Sequence, residues 1–200
     1  MAHANGSDVN DNTLHHLRVA LIYTVLSVVV FGLIYPFVMT GLALVLFPHQ
    51  ANGSMVYING KPVASAIIGQ LWTKPQYFHG RPSAAGSGYD PTATGATNLA
   101  PTSKKLIDAT RQTIAAVRKE NPDAKGPIPM DLVTSSGSGI DPDISPEAAL
   151  YQAPRVAHAR GMTVDQVNAI IAKHVQPRTL GILGEPRVNV LELNLALDDH

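Results

Sequence analysis

The chain has 200 residues, 15 Lys+Arg against 15 Asp+Glu, and no cysteine. Zero net charge argues against a nucleic-acid binder, which carries a basic surplus, and the missing thiols exclude disulfides, Cys-zinc sites, iron–sulfur clusters and thiol nucleophiles. Charged residues are only 15%, against roughly 25% in a typical soluble domain, and mean hydropathy is slightly positive at +0.06, so a membrane segment is expected.

Val19–Phe47 contains no Asp, Glu, Lys, Arg, His, Asn or Gln. As a helix this run of 29 residues is ~44 Å long, enough to cross a ~30 Å hydrocarbon core once and too little to cross it twice. It exceeds the apolar region of a signal peptide, and Pro48-His49-Gln50 follows where a small-residue cleavage site would stand, so it reads as an uncleaved anchor. Pro36 predicts a kink near Ile34-Tyr35, and Gly32 and Gly41 leave flat spots for a neighbouring helix. Arg18 flanks the run on one side, while the next Lys or Arg on the other is Lys61. A margin of one charge thus favours a cytoplasmic N-terminus and an exported body. The expected organisation is a flank over 1–18, a transmembrane helix over 19–47 and one mixed α/β soluble domain over 48–200.

In the body, Met55–Ile58 and Lys61–Ile68 flank Asn59-Gly60, the signature of a hairpin. Phe78–Leu99 is rich in Gly, Ser, Thr, Pro and Asn without periodicity, and reads as a long loop that is functional, disordered or held by a partner. A helix is predicted over Pro101–Glu120, with Ala100 at the cap and Leu106, Ile107, Thr110, Ile114 and Val117 on one face. Ile128–Val133 reads as a short strand. Ser145-Pro146-Glu147 starts a helix that Pro154 should interrupt and Gly161 should end. Thr163-Val164-Asp165-Gln166 is a capping box opening a helix through His174. Val188–Leu197 alternates like a strand, with a change of phase between Val190 and Leu191 that suggests a bulge.

Signatures of catalysis are sparse. The P-loop, G-x-G-x-x-G and H-E-x-x-H patterns are missing, and the eight histidines are scattered. Thr134–Asp143 is the most unusual stretch. Its Ser/Gly run before a helix could offer backbone N–H groups to an anion, Asp141 and Asp143 could instead help hold a cation, and a tight structural loop is the plainer reading. A hydrolase built from Ser138, His158 and Asp141 lacks the G-x-S-x-G elbow. Asn5-Gly6-Ser7 and Asn52-Gly53-Ser54 match a glycosylation sequon that arises often by chance.

Several stretches in fixed order resemble the C subunit of the Kdp potassium-transporting ATPase of bacteria and archaea, the KdpC family. They include Tyr35-Pro36 to Thr40-Gly41, Leu46-Phe47-Pro48 with Gln50–Ser54, Ile68-Gly69-Gln70, Tyr77–Ser83 and Thr97–Pro101. They continue through the Thr134–Pro142 loop, Ile144–Ala149, Tyr151-Gln152, Arg155–Gly161 and Leu183–Leu191. The resemblance covers about Leu17 to Leu197. Leu44 stands where the family tends to have glutamine, Asp143 where it has histidine or asparagine, and Thr94–Asn98 is similar to a family S-G-G-S-N.

The resemblance implies a non-catalytic accessory subunit of a potassium-uptake pump in the bacterial or archaeal plasma membrane. Its partners would be a channel-like potassium-binding subunit, a P-type ATPase subunit and a small membrane subunit. ATP and K+ would be handled by the complex, with no cofactor bound by this chain. The family is described as a catalytic chaperone raising the pump subunit's ATP affinity, and Ser136, Gly137, Ser138, Gly139 and Gln152 would then resemble a nucleotide signature. An exported body cannot touch cytoplasmic ATP, so the effect would pass by conformational coupling. Tyr77, Phe78, His79, Arg81, Asn98 and Arg155 are the expected partner-docking residues. A membrane-anchored extracytoplasmic binding subunit of another transporter is the alternative.

Overall fold

The computed structural model describes residues 6–199. Asn5 of the first sequon and the start of the 1–18 flank lie outside them. The chain divides into two compact units, the first ending at Ser54 and the second beginning at Met55.

The first unit is helical. Helix α1 (Gly6–Ser27) runs through a π-helical segment (Val28–Ile34) into α2 (Tyr35–Leu46), and a short α3 (Pro48–Ala51) follows. Within Thr13–Leu46 an 18-residue window reaches a mean hydropathy of 2.3 with none of it buried, so the helix is long and apolar enough to cross a bilayer. The expected disturbance at Ile34-Tyr35 takes the form of the π segment, where the Tyr35 N–H reaches back five residues to the Val30 carbonyl. Pro36 has no N–H to give and its ring crowds the preceding turn, and a wider turn accommodates both. At Phe47 the backbone leaves the helix with φ −136° and ψ 57°.

The second unit opens with the predicted hairpin. Strand β1 (Met55–Ile58) pairs antiparallel with β2 (Lys61–Ser65). Asn59 and Gly60 both take left-handed φ, 52° and 74°, which the two-residue turn requires. An irregular segment follows until α4 (Lys104–Glu120). Pro101 lies in the turn before it, where the Ser103 N–H donates to the Ala100 carbonyl, so the helix starts three residues later than its proline suggests.

Ile128–Val133 holds a short 3₁₀ turn, Met130–Leu132, in place of the expected strand. The turn lets Asp131 reach across to accept hydrogen bonds from Ser145 N at 2.6 Å and Ser145 Oγ at 3.1 Å. Ser145 in turn caps α5 (Pro146–Arg160) by accepting from Ala148 N. Pro154 does not interrupt α5. The carbonyl it leaves unpaired belongs to Leu150, on the exposed side of the helix, where water can serve it. Gly161 ends α5 in the left-handed region, as expected. The Thr163–Gln166 capping box opens α6 (Val164–His174), also as expected.

The largest difference from the sequence expectation lies at 188–197. Strand β5 (Arg187–Asn189) sits between β3 (Asp143–Ile144) and β4 (Val175–Gln176) in an antiparallel sheet, and the chain then turns into helix α7 (Val190–Asp198). Asn189 makes the change by accepting from Glu192 N at 3.1 Å as the helix cap and donating to the Ala66 carbonyl at 2.7 Å. Val190, Leu193, Asn194 and Leu197 are all buried, an i, i+3, i+4, i+7 face that overrides the apparent alternation of leucines. The apolar three meet Val156, Val167, Ile171, Val188 and Phe78 in one core.

Leu193 is fully buried, whereas Leu195 is only half-buried. Leu193→Ala should therefore destabilise the second unit by about 2–5 kcal/mol and Leu195→Ala by clearly less, read by thermal unfolding. Equal losses would restore the strand reading.

Candidate functional site

The segment Pro75–His79 has no regular structure, yet buried side chains from two helices hold its backbone. Asn194 of α7, fully buried, accepts from Phe78 N at 2.8 Å and donates to Phe78 O at 3.0 Å. Gln152 of α5, 1% exposed, does the same for His79, accepting from its N at 2.9 Å and donating to its O at 3.1 Å. Arg155 donates to the carbonyls of Pro75 and Tyr77, to Asn121 Oδ1 at 3.0 Å and to Gln152 Oε1 at 2.7 Å. Arg160 donates to Gln76 O and Leu197 O, each at 2.8 Å, and pairs with Asp198 at 2.7 Å. Four side chains replace the ladder that a strand would have supplied. Phe78 meanwhile puts its ring into the core at 0% exposure.

A second layer joins the following loop to the Ser/Gly loop. Arg81 pairs with Asp141 at 3.1 Å and also donates to the carbonyls of Thr134 and Ser135. Ser83 Oγ donates to Gly139 O and accepts from Tyr89 N, while the Tyr89 hydroxyl donates to Arg81 O at 2.6 Å. Gly95 N donates to Ser138 O, and Gly69 N to Ile140 O, each at 2.8 Å. The approach is close enough that glycine is required. A Cβ on Gly69 would sit 2.5 Å from Asp141 O, and one on Gly139 (φ 73°) would sit 2.7 Å from Ala85 N.

These contacts place each expected site residue. Ser136 is buried, and its hydroxyl accepts from Gly139 N at 2.8 Å. Gly137 and Ser138 are exposed. Gln152 does not face that loop, because its amide is committed to His79, Ala148 and Arg155. Tyr77, Phe78, His79 and Arg155 do come together within the clamp, and Arg81 lies in the adjoining layer against the Ser/Gly loop. Asn98 is exposed with a left-handed φ of 51°. Sequence reasoning did not single out Asn194, Arg160, Ser83 or Tyr89. For Asn194 the signal was present as the polar member of an otherwise apolar helical face.

Burial sets the electrostatics. The Arg155 guanidinium is held by neutral oxygens, and burial pulls its pKa down while Glu120 supports the charge through space. Burial first, and then Arg155, push the His79 imidazole below the usual histidine range. The Lys74 carbonyl, 3.1 Å from Nε2, and Glu120, 3.3 Å from Nδ1, favour the cation but are outweighed. Burial also pushes the Asp143 carboxyl up, against the pull of Arg187 at 3.1 Å. The Tyr89 phenol is pushed up to about 12 by burial and then by the charge of Asp141.

Several clefts open on the second unit, and Pro75 and Arg155 of the clamp line two of them. A further cleft of about 420 Å³ is lined by Leu71, Trp72, Arg81, Tyr89, Val117 and Glu120. A more apolar one of about 680 Å³ is lined by Pro127, Pro129, Leu150, Tyr151, Pro154 and Val164. Neither is lined by Gln152 or by Ser136–Gly139. Among the described residues, no group of three or more His, Asp or Glu side chains is placed to hold a metal.

A family model described as "KdpC: K+-transporting ATPase, c chain" matches residues 17–199. Similar relatives are described as potassium-transporting ATPase KdpC subunits. The one from Koribacter versatilis is 50% identical, over 92% of this chain and 94% of its own length. Those from Acidobacterium capsulatum and Caulobacter vibrioides are 52% and 54% identical, over 92% of this chain and 98% and 93% of their own lengths.

Two measurements probe the clamp. Asn194→Leu keeps the bulk but leaves the Phe78 N–H and C=O unsatisfied, and should cost about 2–5 kcal/mol in thermal unfolding of the detergent-solubilised chain. A loss below about 1 kcal/mol would mean the backbone finds other partners. For Tyr89 the folded state favours the neutral phenol, so its contribution is present below pH 10 and lost as pH rises from 10 through 12. Alkaline titration should therefore destabilise the chain across that window, and Tyr89→Phe should remove this component.

Proposed function

The chain belongs to the KdpC family, the c chains of K+-transporting ATPases, and on that premise we propose that it is a non-catalytic accessory subunit that presents a rigid docking surface to the rest of a potassium-uptake complex. The observation that carries this reading is the clamp on Pro75–His79 together with the loop-to-loop layer above it. Ordering a segment of this kind costs about 1–2 kcal/mol of backbone entropy per residue. Here the cost is met inside the subunit by buried Gln, Asn and Arg side chains. A partner would meet a surface that is already ordered and would lose less affinity to ordering it.

In this reading the second unit stands outside the cell and docks on the potassium-binding, channel-like subunit. Ser87, Thr92 and Asn98 are exposed along the loop that follows the clamped segment. The P-type ATPase subunit and the small membrane subunit complete the assembly. Any effect on ATP affinity reaches the P-type subunit by coupling through the docked surface. The committed amide of Gln152 and the internal hydrogen bond of Ser136 support coupling over direct nucleotide contact by Ser136, Gly137, Ser138, Gly139 and Gln152.

The test uses two variants of the whole complex. Asn98→Gly keeps the left-handed backbone and removes only the side chain. It should reduce co-purification of the other subunits, whereas Ser138→Ala should leave the ATP dependence of turnover unchanged. Full co-purification in the first, or a weakened ATP dependence in the second, would move the site to the Ser/Gly loop. Because the chain has no cysteine, Ser87→Cys can report the side of the membrane. A membrane-impermeant maleimide should label it in intact cells, and labelling only after lysis would place the unit in the cytoplasm.

A further inference from the structure

We propose that the outer face of α4 is a docking surface for anionic phospholipid headgroups, and that it lays the second unit against the membrane entered by the N-terminal helix. The proposal rests on reading Thr13–Leu46 as a membrane span. Helix α4 carries Lys104, Lys105, Arg111, Arg118 and Lys119, in a chain whose net charge is zero. At 100° per residue these five fall within an arc of about 140°. Leu106, Thr110 and Val117 lie on the opposite side. That apolar side turns inward, since Val117 packs against the core, and Thr113, Ala116 and Val117 line the 420 Å³ cleft. The basic side therefore faces out. The side chains of Lys104 and Arg111 are 91% and 76% exposed.

Few acids offset this charge. Asp108 bridges Lys104 at 2.9 Å and Arg111 at 3.9 Å, and Glu120 is turned toward His79. The remaining surplus spreads along a rod of 17 residues, ~26 Å long, which suits an extended anionic surface better than a single bound ion.

Chain length keeps the bilayer within reach of that rod. Only residues 47–54 separate the apolar helix from β1. Even fully extended they reach no more than ~28 Å. The headgroup layer is thus held permanently within reach of the second unit, at a high effective concentration.

The test uses the full chain in vesicles. Ala115→Cys places the only thiol in the middle of the basic arc, at an exposed position. It is labelled with an environment-sensitive fluorophore and the chain is reconstituted with a headgroup-level quencher lipid. Strong quenching is expected in equimolar phosphatidylglycerol and phosphatidylcholine, and little in phosphatidylcholine alone or at high salt. Lys105→Glu, Arg111→Glu and Lys119→Glu should each weaken the docked state about fivefold or more. Quenching that ignores lipid charge, or survives the triple reversal, would overturn the proposal. So would an unquenched label combined with loss of the other ATPase subunits from the charge-reversed chain, which would assign the face to an acidic protein. Alkaline carbonate separates the two readings. Release of the chain would overturn the span and this proposal with it, whereas retention with charge-independent quenching would overturn the proposal alone.

Discussion

Buried amide and guanidinium groups that hydrogen-bond a stretch of irregular backbone are the constraint on which the second unit depends. A backbone N–H or C=O left unpaired in a core costs as much as several good packing contacts contribute. Phe78 needs to be in the core, but its neighbours do not form a strand. Asn194 and Gln152 resolve this by treating Phe78 and His79 as a ladder partner would, one donor and one acceptor for each residue. Arg155 and Arg160 take the carbonyls of the three residues before Phe78, namely Pro75, Gln76 and Tyr77. The aromatic ring can then be buried without orphaning the chain that carries it.

This constraint also organises the chemistry around it. Arg155 brings a positive charge into the core with no carboxylate in direct contact, and that charge adds to burial in keeping His79 neutral. Beyond the clamp, Arg81 and Ser83 transmit the fixed position of the segment to the Ser/Gly loop. What reads in the sequence as two separate features, a loop over Phe78–Leu99 and a Ser/Gly stretch over Thr134–Asp143, is one interlocked layer. Its glycines serve close backbone approach, as Gly69 and Gly139 demonstrate.

Local signals were legible wherever one residue type has one strong use. Asn59-Gly60 marked the hairpin turn, Ser145-Pro146 and Thr163–Gln166 marked helix starts, and Gly161 marked a helix end. Signals with two uses misled. Pro101 suits a first helical position and also a preceding turn, and Pro154 can break a helix or sit on its wet side. The leucines at 191, 193, 195 and 197 alternate like a strand, while the helical face runs through Val190, Leu193, Asn194 and Leu197. The polar residue that disguised that face is the one that clamps Phe78. The expected docking residues were recognised through the family resemblance, whereas their mutual arrangement depends on contacts spanning 116 positions for Phe78 and 121 for Tyr77, beyond the range of any local pattern.

That separation has a consequence in time. The Phe78 backbone emerges during synthesis 116 residues ahead of the side chain that secures it. At about 5–20 residues per second the segment waits roughly 6–23 s for Asn194 to appear. Over that interval the apolar helix has long since been made and can enter the membrane, while the Phe78 segment is still unfastened. Insertion can thus precede completion of the second unit, whose Phe78 segment is secured only once α7 has closed over it.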